Sequence, residues 1–308
     1  MLATIYNSGL QQAPRLEELL QAFINSQDIK HNSRETYSKN LRHFFKWTVD
    51  KNYNLSELAR PEVIQYKEEL LLSNKSSLTV SAYITPVRKF YDWTEANKYY
   101  PNIAKSLKSP KRVQQFRKRP LTPEQCTQLL HSTETARDEA LISLILRTGL
   151  RTIEVIRANV EDITFIGSNR VLMIQGKGRD TKDTFVVLTD KTLKGLESYL
   201  NTRPGAAPQE PLFISTSNNN KGERLTTKTI STTCKNHLRK IGLDSKEFTA
   251  HSLRHTTIVN IRRAGGTLEQ AQATARHSTP ATTQIYDHFF REEERLKNSG
   301  EALLDNLF

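Results

Sequence analysis

Five short features of this chain carry residue types that could do chemistry. Thr148-Gly149-Leu150-Arg151 sets an arginine at the expected start of a short helix, with Glu154 three residues further on. A guanidinium so placed can face an anion, because it offers two parallel donors to a pair of oxygens. Gly176-Lys177-Gly178 puts a lysine on a Gly-flanked turn. It suggests a phosphate loop, but G-x-x-x-x-G-K-[ST] is absent and no helix follows, so a P-loop is excluded. His251-Ser252-Leu253-Arg254-His255 pairs two histidines at helical spacing. No H-E-x-x-H and no obvious third ligand accompanies them, so we expect no metal site. His277 follows Arg276, and Tyr286 lies within TTQIYDH. Taken singly, each has an ordinary explanation: a surface arginine, a tight turn, a buried helix aromatic.

Taken in order they do not. TGLRTIEVI, the turn lysine, HSLRH, RHS and a tyrosine nine residues beyond His277 together resemble the tyrosine recombinase, or phage integrase, family, of the compact Xer-like or mobile-element integrase and resolvase type. The resemblance spans nearly the whole chain. It implies a site-specific DNA recombinase in which Tyr286 attacks the scissile phosphate and forms a 3′-phosphotyrosine. A phenol with pKa about 10 is a poor nucleophile at neutral pH, so it needs a base, and the resemblance gives that role to His251. Arg151 and Arg254 would hold the non-bridging oxygens, where charge accumulates in the transition state. Lys177 would protonate the leaving 5′-oxygen, His277 would hydrogen-bond the phosphate or assist the leaving group, and Glu154 would orient Arg151 or His251. No metal and no other cofactor is implied. One departure stands out: the family usually has Gly just before the second motif histidine, and here it is Arg276.

The elements that must position these residues are mainly helical. Leu16, Leu19, Leu20, Phe23 and Ile24 share one helix face. A second helix follows Asn32-Ser33, a third starts near Pro61, and a fourth runs from about Ser77 with Pro86 inside it. A proline there removes a backbone donor at about 3 kcal/mol, so a kink or break is expected. Leu121-Thr122-Pro123-Glu124 then opens a second domain with a Thr cap, and a buried helix through Ala140, Leu141, Leu144 and Ile145 ends near Gly149. VEDITF (160–165), RVLMIQ (170–175) and TFVVLT (184–189) have strand character. Helical spacing returns at 193–200 and 230–241. Gly265-Gly266 ends the helix of Arg254, Thr267-Leu268-Glu269-Gln270 reads as a capping box, and Thr279-Pro280 starts the helix of Tyr286. The expected fold is mainly α with a small antiparallel β-sheet: a helical core-binding domain over 1–108, a basic linker over 109–119, and a mixed α/β catalytic domain over 120–308 with a tail helix at 301–308.

The 308 residues carry a formal charge of +12. The eleven residues of 109–119 hold Lys111, Arg112, Arg117, Lys118 and Arg119 and no acid, so they supply +5 of it. Pro110 and Pro120 bracket them, and the stretch suits contact with a DNA backbone. Arg224, Thr227 and Lys228, at the start of a helix resembling the family's major-groove helix, are further candidates for DNA contact. Two cysteines, Cys126 and Cys234, exclude a disulfide framework. With no apolar run of 18 residues and no signal peptide, a cytoplasmic, nucleoid-associated protein without membrane association is expected. The resemblance implies double-stranded DNA with inverted-repeat core sites as partner. It also implies a homotetramer on two duplexes, with the tail passed to a neighbouring protomer. A type IB topoisomerase-like activity, relaxing DNA without a second duplex, and a non-catalytic DNA-binding regulator are the competing readings.

Overall fold

The computed structural model describes residues 9–111, 118–176, 178–305 and 307. The chain divides into two compact units, Met1–Gln115 and Phe116–Phe308, the division falling inside the basic segment. Arg112 and Arg117 lie outside the described residues, as do Lys177 and Phe308.

The first unit is four helices: α1 (Gly9–Ser26), α2 (His31–Asp50), α3 (Arg60–Leu72) and α4 (Ser77–Ala96). Leu20, Phe23, Leu41, Phe44, Tyr66, Val80, Ile84 and Phe90 are completely buried. Several of the aromatics meet edge to face, as Phe44 and Tyr66 do at 5.0 Å between centroids, the geometry that places a ring's positive edge on a negative face. They form the core, with no chemistry of their own. Pro61 stands one residue inside α3, at its second position, and Glu62 caps the helix by accepting from the Ala59 amide at 2.9 Å.

Pro86 does not break α4, which is assigned as one helix from Ser77 to Ala96. Proline leaves the carbonyl four residues earlier without its amide donor, and here that carbonyl, Ala82 O, accepts from Asn40 Nδ2 at 2.9 Å instead. Asn40 is buried, so the helix–helix contact satisfies what the proline leaves open. Asn40→Ala is expected to lower unfolding free energy by about 1–3 kcal/mol, the cost of an unpaired buried carbonyl. Denaturant unfolding of the variant would check it, and an unchanged stability would refute the compensation.

The second unit builds its core around α6 (Ala136–Thr148) and α10 (Ala250–Arg263). Ala140, Leu141, Ile142, Leu144 and Ile145 are all buried, so the middle of α6 is enclosed on every side. The helix expected to lead into Gly149 is two, α5 (Pro123–His131) and α6, separated by a turn. Each has its own threonine cap, Thr122 and Thr135. After α7 (Thr152–Arg157) the chain forms the antiparallel sheet β1 (Ile163–Ile166), β2 (Asn169–Ile174) and β3 (Thr184–Val187), in sequential order. Val160–Asp162 is a 3-10 turn rather than the start of β1. The Asp162 carboxylate accepts from the Asn159 amide at 2.6 Å and pairs with Lys182, which favours a turn over an extended run. The helices α8 (Asp190–Leu200), α9 (Thr227–Lys240), α11 (Leu268–Ala275), α12 (Pro280–Lys297) and α13 (Gly300–Leu304) complete it. No helix among the described residues is long and apolar enough to cross a membrane.

Candidate active site

Helix ends and two helix interiors bring the chemistry together. Gly149 terminates α6 in the left-handed region at φ +62°, where glycine avoids the Cβ clash. The chain can then reverse so that Arg151 caps α7. Glu154 closes a local loop: its Oε2 accepts from the Arg151 amide at 2.8 Å and its Oε1 from the Arg151 guanidinium at 2.7 Å. Glu154 is 1 % exposed and Arg151 32 %, so the carboxylate is sunk beneath an arginine whose outer face stays free. Thr257 Oγ1 on α10 donates to the last carbonyls of α6, at 3.1 and 2.9 Å, which sets α10 against this turn.

Arg254, on α10, is among the largest fully buried side chains. Its guanidinium donates to Gly149 O and to Ala275 O, tying the end of α6 to the end of α11. Burial and then the nearby Arg151 push its pKa down to about 9, which leaves it cationic at neutral pH. His277 follows directly after α11 and its C-cap residue. Its Nδ1 is 2.9 Å from Thr283 Oγ1 on α12, and burial, with Arg254 and Arg151, lowers its pKa to about 4. Its other ring nitrogen is left for a ligand in the neutral state. Glu154, Arg151, Arg276, His277 and Gly176 line one cavity of about 370 Å³. Gly176 precedes Lys177 in sequence, and its carbonyl accepts from Arg157 at 3.1 Å, holding that side of the turn at the cavity.

Tyr286 is half-buried in α12 and packs against Ile258, Ala271 and Ala275. Its ring lies near-parallel to His277 at 5.5 Å and meets His255 edge to face at 4.2 Å. Burial raises the Tyr286 pKa, and Arg254 and Arg151 oppose that rise. His251 stands at the first turn of α10 with a solvent-exposed edge. Partial enclosure of its ring, then Arg254, Lys118 and Arg151, lower its pKa, favouring the neutral form that can accept a proton. Arg254 and Arg151 are therefore positively charged neighbours of both Tyr286 and His251, with Lys118 added at His251. Arg151, Glu154, Arg254, His277 and Tyr286 form one cluster with His251 at its edge.

The sequence reading gave Asp287 and His255 no role, and it noted Arg276 only as a departure from the family pattern. Asp287, next to Tyr286, is buried and pairs with Arg262 of α10 at 2.8 Å and with Arg291 at 2.7 Å, so it anchors the tyrosine helix. Its only sequence signal was the i, i+4 spacing to Arg291. His255 is 8 % exposed, and its ring bridges His251 and Tyr286. Arg276 turns inward to Glu154 at 2.8 Å rather than outward to solvent.

The DNA-contact candidates separate. Arg224 donates to Ile156 O at 2.6 Å, Ala158 O at 3.1 Å and Asn159 Oδ1 at 2.7 Å. Three of its five N–H donors are engaged inside the protein. Thr227 begins α9 behind the Thr226 cap, and Lys228 is exposed. Lys228 lines a basic depression of about 590 Å³ with Lys118, Lys235, Arg239 and Lys246. Lys111 and Arg119 are exposed, and Lys118 donates to Lys246 O at 2.6 Å.

A helical unit followed by this cluster of arginines, histidine and tyrosine defines a DNA breaking-and-rejoining enzyme. The sequence matches the phage integrase family over residues 119–293 and the N-terminal SAM-like domain of phage integrases over 16–98. The chain belongs to the phage integrase family, the tyrosine recombinases, whose reaction is site-specific recombination. Among its relatives, the tyrosine recombinase XerC of Caldanaerobacter subterraneus subsp. tengcongensis is 28 % identical over 92 % of this chain and 85 % of that protein. XerC of Chlamydia caviae is 30 % identical over 76 % of this chain and 74 % of that protein. The fold matches that of the XerH site-specific recombinase bound to palindromic difH substrate, with a TM-score of 0.73 at 20 % identity, over 96 % of this chain and 87 % of that one.

Proposed function

We propose that this chain recombines DNA at inverted-repeat core sites through a 3′-phosphotyrosine formed by Tyr286. The observation that carries the reading is the placement of Tyr286 against His277 and within the field of Arg151 and Arg254. The Tyr286 oxygen bonds to phosphorus and the bond to the 5′-oxygen breaks. The phenolic proton passes to His251, whose lowered pKa keeps it neutral beforehand. Lys177 supplies the proton that makes the leaving oxygen a hydroxyl. Arg151 and Arg254 carry the charge on the non-bridging oxygens, and His277 adds a hydrogen bond from the nitrogen that Thr283 leaves free. Glu154 orients Arg151. A 5′-hydroxyl of a partner duplex then attacks the phosphotyrosine, which conserves the bond energy through the exchange.

Lys111, Arg112, Arg117, Lys118 and Arg119, with Thr227 and Lys228, contact the duplex, mostly through phosphates. The palindromic substrate of the XerH structure supports inverted-repeat sites. Leu303, Leu304 and Leu307 in the tail are exposed. Exposed leucines in and just beyond α13 suit docking on an adjacent protomer in a tetramer on two duplexes. An enzyme acting on chromosomal or element DNA would sit with the nucleoid in the cytoplasm.

A nicked suicide substrate, from which the cleaved end diffuses away, tests the reading: the wild-type protein is expected to accumulate a covalent protein–DNA adduct. No adduct on any inverted-repeat substrate would refute it. Relaxation of supercoiled DNA without sequence preference would instead favour the topoisomerase-like alternative. Removal of residues 301–308 is expected to leave binding of a single site in place and abolish recombination, read by gel shift and product assay. Wild-type recombination by the shortened chain would remove the tail from the assembly.

A further inference from the structure

Arg276 occupies a position that no arginine takes cheaply. Its backbone is left-handed at φ +55°, which costs a residue with a Cβ about 1–2 kcal/mol relative to glycine. Its side chain is turned into the protein, 12 % exposed. One guanidinium nitrogen reaches Glu154 Oε2 at 2.8 Å and Gly149 O at 3.3 Å. The other reaches Thr274 O at 2.5 Å and Thr148 O at 3.3 Å. Glu154 is thus shared: Arg151 holds one oxygen through its guanidinium, and Arg276 holds the other, together with the Arg151 amide.

That sharing decides how much charge the site offers a phosphate. Three guanidiniums, Arg151, Arg254 and Arg276, stand against the single carboxylate of Glu154 in this cluster. Without Arg276, the buried carboxylate would spend its whole charge on Arg151, the arginine with an open face toward the cavity. Coulomb attraction is strong where water is excluded, so a buried carboxylate 2.7 Å from Arg151 would cancel much of that residue's pull on a phosphate oxygen. We propose that Arg276 is a positioning residue that draws the Glu154 charge away from Arg151 and so leaves Arg151 cationic toward the scissile phosphate. The inference rests on the reading of the cluster as the cleavage site. Arg276 touches no reacting atom and acts through Glu154.

The test is single-turnover cleavage of the nicked suicide substrate, with duplex affinity and thermal unfolding measured alongside. Arg276→Gly relieves the left-handed backbone but takes one donor each from Glu154, Thr274 O and Thr148 O, so the unfolding midpoint is expected to fall modestly and cleavage is read well below it. Cleavage is expected to slow by about tenfold to a hundredfold, the scale of losing one preorganised charge interaction, with duplex affinity nearly unchanged. Adding Glu154→Gln to Arg276→Gly restores the net charge of the cluster and is expected to recover at least about half of the loss on a logarithmic scale. Arg276→Lys, which keeps the charge, is expected to cleave faster than Arg276→Gly. A merely structural arginine would produce no rescue by a second substitution. Wild-type cleavage by Arg276→Gly, or a double variant no faster than Arg276→Gly, would overturn the inference. A wild-type protein that forms no adduct would overturn the reading beneath it, a result separable from both.

Discussion

Tyr286→Phe is expected to abolish the covalent adduct on a suicide substrate while leaving duplex binding within about twofold. The substitution removes only the phenolic oxygen. The ring contacts with Ile258, Ala271 and Ala275, and with His255 and His277, survive in phenylalanine, so α12 keeps its seat. The oxygen is the atom that bonds to phosphorus, and no other nucleophile of the described cluster is its equal. A loss of at least about 10⁴-fold follows from removing the nucleophile of a covalent mechanism. Burial raises the Tyr286 pKa, so the phenol is protonated in the resting protein and its proton must leave during attack. A phenylalanine variant that still traps DNA covalently would place the nucleophile elsewhere, and the assignments of His251 and Lys177 would fall with it.

Arg254→Ala and Arg151→Ala are expected to share a catalytic loss and to differ sharply in stability. Each arginine offers a planar pair of donors to phosphate oxygens, and removing one such group costs about 10²–10³-fold in rate. Arg254, however, also holds Gly149 O and Ala275 O from a fully buried position. Its truncation leaves a large cavity where α6, α10 and α11 meet, takes the Arg254 donor from Ala275 O and leaves Gly149 O with the longer Arg276 bond, at an expected cost of about 2–4 kcal/mol. Arg151 is one-third exposed and pairs with Glu154, and Glu154 keeps Arg276 when Arg151 is gone. Its loss is therefore expected to cost under about 1 kcal/mol. Urea unfolding of both variants, set beside their cleavage rates, checks the pair. Equal destabilisation would show that Arg254 is not the tie between the helix ends.

The two arginines also mark the limit of what is legible in the chain. Their order and spacing, with Glu154, HSLRH, the Arg276-His277 step and Tyr286, identified the family. The apolar periodicities announced most helices and the three strands. Those signals are local: residue type, cap and period act within a few neighbours in sequence. Pro86 shows where they stop, since its penalty is met by Asn40, 42 residues before Ala82 and on another helix. Arg224 shows the same from the other side. At a helix start it reads as a contact for DNA, and three of its donors close on groups more than sixty residues earlier.

By itself, then, the sequence determined the class of chemistry, the order of the participants and the elements that carry them. Hydrophobic period, capping and glycine at the turn are properties of contiguous residues, and a motif of nucleophile and cations is readable as a string. The tertiary structure alone decided which charges face one another. Arg276 meets Glu154 across 122 positions, Arg254 joins two helix ends, and Asp287 anchors the tyrosine helix through Arg262. Electrostatic energy depends on separation and burial in space, and neither quantity is written along the chain.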